Sequence, residues 1–339
     1  MNKLISISAI ADLHGHLPQM QYSDLAVVAG DIFPGELDKD PEGQGEWFRA
    51  EFRPWVNVVD CAHVILVAGN HDHWIAANNE QLLNEYAPQA WKKLIYLSDS
   101  EFEYKGLIIY GTPWMPHPFR NKAFSLCDNE ELREKYAHIP QNVDLLITHT
   151  VPYDCNYIGF SGRDMLDLGS KELREAVATR NIRFLIGGHI HETRERVAHM
   201  DFGDHHTEMA NVACCDNDKQ PVRLPLRFTI SVASDKMREI AQRIRQDFSL
   251  ALGNLRWTGS RKNHPVYHEL HEAEKELEDG VEKDFRIEWR IVDIDESHIY
   301  VTNRRNGNKY HISVINPAAL YVDVYQILEN GEEISPWES

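Results

Sequence analysis

Five short clusters hold the residues best suited to chemistry: Asp12-Leu13-His14, Gly30-Asp31, Gly69-Asn70-His71-Asp72, Thr148-His149 and Gly188-His189-Ile190-His191. Their Asp, Asn and His side chains all bind divalent cations, through oxygen or imidazole nitrogen. The X-x-X spacing of Asp12/His14 and of His189/His191 puts two side chains on one side of an extended segment. Adjacent glycines let the backbone turn sharply beside an ion. Singly, each cluster has a plain reading: Gly-Asp occurs by chance, and an isolated Thr-His is usually a satisfied core or surface histidine. The ordered set of five is what points to a metal site.

Something must carry these groups to one place. Each cluster follows an apolar, β-branched run that reads as a buried strand: Leu4–Ala9, Leu25–Ala29, Val64–Ala68, Leu145–Thr148 and Phe184–Ile186, with Leu107–Tyr110 as a further strand. Between them, Glu42–Asp60, Asn78–Tyr86, Asn129–Ala137 and Ser170–Thr179 read as helices. This alternation predicts an α/β fold with sheets covered by helices. In open α/β sheets, functional groups collect outside the carboxyl ends of strands.

The character changes near Pro221. A strand over Leu226–Val232 leads to a helix from Ser234, a charged segment over Pro265–Asp279 reads as a second helix, and four alternating stretches come after it: Arg286–Ile294, His298–Asn303, Lys309–Val314 and Leu320–Leu328. Asn306-Gly307 marks a hairpin. The expected organisation is a catalytic domain over 1–228 and a smaller C-terminal α+β domain over 229–339, acting as a lid or an oligomerisation surface, against the plainer reading that it merely completes the fold. Of 18 histidines, five lie beyond Pro225 (His264, His268, His271, His298 and His311), leaving 13 in the first part.

The formal net charge of −18 opposes broad binding to nucleic acid or anionic membranes. The five cysteines show no disulfide-framework spacing. No apolar run is long enough to span a bilayer, and MNKLISISAI lacks the features of a signal peptide, so a cytoplasmic location is expected.

The order Asp-x-His, Gly-Asp, Gly-Asn-His, lone His, Gly-His-x-His resembles the calcineurin-like metallophosphoesterase superfamily over about residues 1–228. Tyr110-Gly111-Thr112-Pro113-Trp114, Ile139-Pro140, Thr148–Pro152, Gly188–Glu192 and Asn211–Cys214 are similar to the branch typified by the brain 239 protein, a phosphodiesterase branch. The resemblance implies a four-layer α/β/β/α sandwich and two divalent ions (Mn²⁺, Fe²⁺ or Zn²⁺). It places the first on Asp12, His14, Asp31 and His191, and the second on Asp31, Asn70, His149 and His189, with Asp31 bridging. Two such ions ~3.5–4 Å apart share a water and lower its pKa, so that hydroxide attacks phosphorus in line. The resemblance also points His71 at the substrate, where it would protonate the leaving oxygen, a contribution of roughly 10²–10⁴-fold. Asp72 is a weaker candidate for orienting His71, because adjacent side chains on an extended segment point apart.

His16, His73 and His117 lie near the motifs and are candidates for touching substrate, against the plainer reading of exposed loop histidines. Trp114 is a candidate for stacking on a base or ring, against core packing. His205-His206 read as the start of a strand. The expected activity is hydrolysis of a small or nucleotide phosphodiester, with a repair-type nuclease or a phosphomonoesterase as alternatives. Gly30-Asp31 lacks the Asp-Arg-Gly continuation of the protein serine/threonine phosphatases, which makes those a poor match.

Overall fold

The computed structural model describes residues 3–88, 92–117, 121–155, 158–161, 164–192, 196–202 and 206–232, and five strands between 289 and 334. The chain divides into two compact units. Leu4–Asp201 with His206–Ile230 form one, and Ser231–Ser339 form most of the other.

The first unit is built on two sheets. One has five strands in the order Leu226–Val232, Lys3–Ile10, Leu25–Ala29, His63–Val67, Leu94–Tyr96. The last four run parallel, in a register that sets Ile7 beside Leu25, Leu25 beside His63, and Val64 beside Leu94. The other has six strands in the order Val197–Asp201, His206–Asn211, Phe184–Gly187, Leu145–Thr148, Leu107–Thr112, Ser100–Tyr104. Its four central strands are parallel and its two edge strands antiparallel.

The period of two along each strand decides what its faces bury. In the first sheet, Ile10, Ala26, Val28, Val64 and Leu66 join one cluster with Phe48, Phe52, Trp55, Val56 and Leu82 from the helical segments. The alternate residues Ile5, Ile7, Ala9, Val27, Ile65 and Val67 are equally buried. Their cover is the second sheet: a Cβ on Gly111 would lie 2.8 Å from the Val67 side chain. Helices Asn129–Ala137 and Lys171–Ala178 bury Leu132, Tyr136, Leu173 and Val177 on their inner sides. The order is helix, sheet, sheet, helix: a four-layer α/β sandwich.

Local chemistry fixes the ends of these helices. Asp128 accepts the Glu130 N–H at 2.8 Å, and the Ser170 hydroxyl accepts the Leu173 N–H at 3.1 Å, so both are N-caps. The expected continuous helix over 42–60 is instead three pieces: Pro41–Trp47, a π-helical turn Phe48–Phe52, and Arg53–Val58. Pro54 explains the widened turn, since it has no N–H and its ring crowds the carbonyl four residues back. The expected helix over 78–86 starts earlier and is interrupted at Asn78, giving His73–Ala77 and Asn79–Glu85.

In the second unit, Trp289–Ile294, His298–Asn303, Lys309–Asn316, Tyr321–Ile327 and Glu333–Ile334 form an antiparallel sheet in sequence order. Thr302 pairs with Lys309. The Asn306-Gly307 turn itself and both expected helices lie outside the described residues. No helix among the described residues is long and apolar enough to cross a membrane.

Candidate metal centre

Strands Lys3–Ile10, Leu25–Ala29 and His63–Val67 of the first sheet, and Leu145–Thr148 and Phe184–Gly187 of the second, each run directly into one of the five clusters. The carboxyl ends of both sheets therefore deliver their side chains to a shared edge of the sandwich. They do so through tight turns, not through extended backbone. Asp12, His14, Asp31 and His189 have φ of 54°, 44°, 56° and 69°. Left-handed backbone at a residue with a side chain costs on the order of 1–3 kcal/mol and collects at functional sites. This changes the expected geometry of the X-x-X pairs. His191 turns to Asp12, while His189 lies against the ring of His149, with centroids 5.3 Å apart.

Two groups have ligand atoms within 4.8 Å of one another: Asp12, His14 and His191, and Asp12, Asp31 and His149. His191 Nε2 lies 3.2 Å from Asp12 Oδ1, and His149 Nε2 lies 3.5 Å from Asp31 Oδ2 and 3.0 Å from Asn70 Oδ1. His14 is the most telling of the seven. Both of its ring nitrogens are buried, and neither has a hydrogen-bond partner among the described residues. A buried imidazole without a partner is costly unless a bound ion satisfies it.

The backbone behind these groups is held at each point. His149 Nδ1–H donates to the Ala29 carbonyl at 2.9 Å, and His191 Nδ1–H donates to the Asp216 carbonyl at 2.8 Å. Each bond leaves Nε2 facing the centre, the arrangement by which second partners orient ligating histidines. Buried Asn211 donates from Nδ2 to the Ile190 carbonyl at 2.9 Å and so fixes the Gly-His-x-His turn. Gly30 and Gly69 cannot carry side chains here. A Cβ on Gly30 would strike His149 Nδ1, and one on Gly69 would strike Asp31 Oδ1.

Asp72 has a role other than orienting His71. Its carboxylate accepts N–H groups from Asp31 and Ile32, both at 2.9 Å, and from Gly69 at 2.7 Å. Burial and the neighbouring charge of Asp31 push its pKa up to about 7, against the pull of these donors.

The histidines split into two electrostatic kinds. Burial alone would depress His149, but the charge of Asp31 and a hydrogen bond to it push the ring up to about 10. His191 likewise overcomes its burial through Asp12 and rises to about 9. Burial wins at His14, and at His189 with help from His149, and both fall to about 4. Asp12 and Asp31 are held below the usual carboxylate range despite burial, by the imidazoles around them. In the protein alone, protons on His149 and His191 balance the two carboxylates.

His71 is half-buried, and its ring stands edge-on to His14 with centroids 5.6 Å apart. Its backbone N–H donates to Asp31 Oδ1 at 2.8 Å, and its Nε2 lies 4.0 Å from Asp31 Oδ2. On the other side, its Nδ1 makes a short contact with Asp38, which also accepts from Lys122 Nζ at 2.9 Å. Burial would raise the Asp38 carboxyl, but Lys122 and His71 draw it down to about 2. Sequence patterns do not single out Asp38 or Lys122. No motif marks either one.

The remaining candidates stand in different surroundings. His73 begins a helix, 3.6 Å from Asp38, and is depressed by its burial. His16 Nε2–H donates to the Lys219 carbonyl at 3.0 Å. His117 is half-buried, and its backbone N–H donates to Leu126. Trp114 is committed to the frame: its indole N–H donates to Asp99 at 2.6 Å, Phe124 meets its ring edge-on, and Lys135 lies 4.1 Å from its ring centre. His206 begins a strand, and His205 lies outside the described residues.

Metallophosphoesterase domain-containing protein 1 of Homo sapiens is 29% identical over 242 residues, covering 64% of this chain and 68% of that protein. A UPF0046 protein of Caenorhabditis elegans is 27% identical over 242 residues, covering 67% and 80%. Among solved structures, a dimetal phosphatase from Danio rerio aligns over 67% of this chain and 92% of that one, at 13% identity and a TM-score of 0.36. The family model for calcineurin-like phosphoesterases matches residues 5–193, the span that contains all five clusters, and the chain belongs to that family.

Proposed function

We propose that the chain is a two-metal phosphodiesterase acting on a small or nucleotide substrate, with Asp12, His14, Asp31 and His191 holding one ion and Asp31, Asn70, His149 and His189 the other. The observation that carries this reading is His14: buried, neutral in the protein alone, and with neither ring nitrogen partnered among the described residues. When bound, divalent ions would supply charge neutralisation at phosphorus and a water of lowered pKa.

The chain's own groups account for the rest. His71 points Nε2 to the same carboxylate that the centre shares, while Asp38 occupies Nδ1. A proton held on Nε2 can pass to the departing oxygen, while the Asp38 carboxylate holds the ring by Nδ1. Asp31 serves both sides of the site, accepting the His71 N–H with one oxygen and facing His149 with the other. The deep placement of Asp12, Asp31 and His149 keeps bulk water away from these contacts.

The test is a hydrolysis screen of the Mn²⁺-saturated protein across aryl phosphodiesters, aryl phosphomonoesters, cyclic nucleotides and short oligonucleotides. Highest kcat/KM on a small diester is expected. Preference for monoesters or oligonucleotides would reassign the substrate, and no turnover in any arm would remove the reading altogether.

A further inference from the structure

Gln44 lies in helix Pro41–Trp47 and is 0% exposed, although its amide is fully polar. Its Nε2 donates to the Leu37 carbonyl at 3.1 Å and to the His71 carbonyl at 2.9 Å, and its Oε1 accepts the Trp74 N–H at 2.9 Å. Two carbonyls require N–H donors and one N–H requires an acceptor, so only this orientation of the amide satisfies all three partners. Close packing supports the position: a Cβ on neighbouring Gly45 would collide with the Trp74 indole.

These partners are not scattered. Leu37 immediately precedes Asp38, whose carboxylate meets His71 Nδ1. The second carbonyl is that of His71 itself, and Trp74 lies in the helix that begins at His73. One buried amide therefore fixes the backbone at both ends of the His71–Asp38 contact and ties both to a third segment.

We infer that Gln44 is a positioning residue for proton delivery to the leaving group. It holds the turn that carries Asp38 at a set distance from His71, so that Nδ1 stays engaged and Nε2 stays aimed at the centre. This rests on the reading of His71 as the leaving-group acid. Without the amide, the buried tie between the backbone of the 35–38 turn and that of the His71 segment is lost and only the side-chain contacts of Asp38 and Lys122 hold the pair. A misplacement of about 1 Å at a reacting group costs roughly 10²-fold in rate. Gln44 itself touches neither substrate nor candidate ligand side chain in any described contact.

The experiment uses the full-length, Mn²⁺-saturated protein and two diesters: bis(4-nitrophenyl) phosphate, whose leaving group needs little protonation, and diphenyl phosphate, whose leaving group is more basic. Gln44→Met keeps the volume and removes all three bonds. Gln44→Glu keeps the acceptor for Trp74 but offers no N–H to either carbonyl. Both are expected to lower kcat on diphenyl phosphate at least roughly tenfold more than on bis(4-nitrophenyl) phosphate, with KM and metal content retained. In a His71→Ala background, Gln44→Met should add no further dependence on the leaving group.

Equal losses on both diesters, loss of metal, additive effects with His71→Ala, or failure of both variants to fold would each overturn the inference. Failure of the wild type on both diesters removes the proposed activity. A His71→Ala variant that loses equally on both removes the acid role, and the inference with it. A leaving-group dependence in His71→Ala that is absent from Gln44→Met removes the inference alone.

Discussion

A single oxygen of Asp72 accepts the backbone N–H of Asp31 at 2.9 Å and that of Gly69 at 2.7 Å, tying together the ends of two neighbouring strands. The Asp72 side chain thereby sets the turn on which Asp31 stands. Asp72→Asn keeps the shape but turns an NH₂ group toward at least one of three N–H donors. Leaving a buried donor unsatisfied costs about 1–3 kcal/mol. A matching loss in urea stability of the metal-free protein is expected, together with weaker Mn²⁺ binding. An unchanged midpoint and unchanged affinity would contradict the bracing role.

Metal binding should release protons. At pH 7 the metal-free chain keeps protons on His149 and His191, because pH 7 lies below their values of about 10 and about 9. A ligating imidazole must be neutral. Affinity for Mn²⁺ therefore rises with pH through this range, by up to tenfold per pH unit for each proton displaced. Titration calorimetry in buffers of different ionisation enthalpy counts the protons directly, and a count near zero would refute the prediction. The raised values also stabilise the metal-free fold. That contribution is complete below the unfolded value of about 6.5 and is lost as pH rises through about 9 and about 10.

Asp31→Asn should damage activity more than Asn70→Ala. Asp31 bears charge, accepts the His71 N–H and faces His149, whereas neutral Asn70 meets one imidazole. A loss of bound metal from two ions toward one or none is expected for Asp31→Asn. Metal analysis after gel filtration, paired with kcat, makes the comparison, and equal effects would argue against a shared ligand.

The strand Leu226–Val232 completes the edge of the first sheet beside Lys3–Ile10 and buries Ile230 and Val232. A chain ending after Val232 is expected to fold and to bind metal, whereas one ending at Pro225 should lose several kcal/mol with that strand's buried side chains. Thermal unfolding of the two truncated proteins decides this. Similar midpoints would mean that the edge strand contributes little.

Why the five clusters are legible in the sequence, and their supports are not, has a physical answer. Strand ends are marked by composition: Leu25–Ala29 is wholly apolar, and the next two residues are Gly30 and Asp31. Asp38 and Lys122 act through partners 33 and 84 residues away, across turns whose path no local pattern fixes. Gln44 and Asp72 work through backbone atoms, and every residue has those, so side-chain type does not announce the contact. An extended reading of the Asp12/His14 pair misses the left-handed turns for a related reason. The strand pattern stops at Ile10, and the path of the chain beyond it is set by bonds such as Asp12 N–H to the Gly30 carbonyl at 2.9 Å. The alternation over Leu226–Val232 marks a strand without naming the neighbour it joins.

The left-handed backbone at Asp12, His14, Asp31 and His189 narrows the amino-acid alphabet open to drift and to redesign. If the four hold metal as proposed, a replacement there must pass two filters at once: it must offer a donor atom, and it must accept a φ between 44° and 69°. Asp, Asn and His tolerate that region better than most residues, and β-branched residues hardly enter it. Attempts to change metal preference by exchanging ligand chemistry, for instance by introducing a softer thiolate, would meet least backbone resistance at Asn70, His149 and His191. Those three stand outside the left-handed region, so on the proposed ligand set selectivity would be tuned there while the four strained positions keep their backbone.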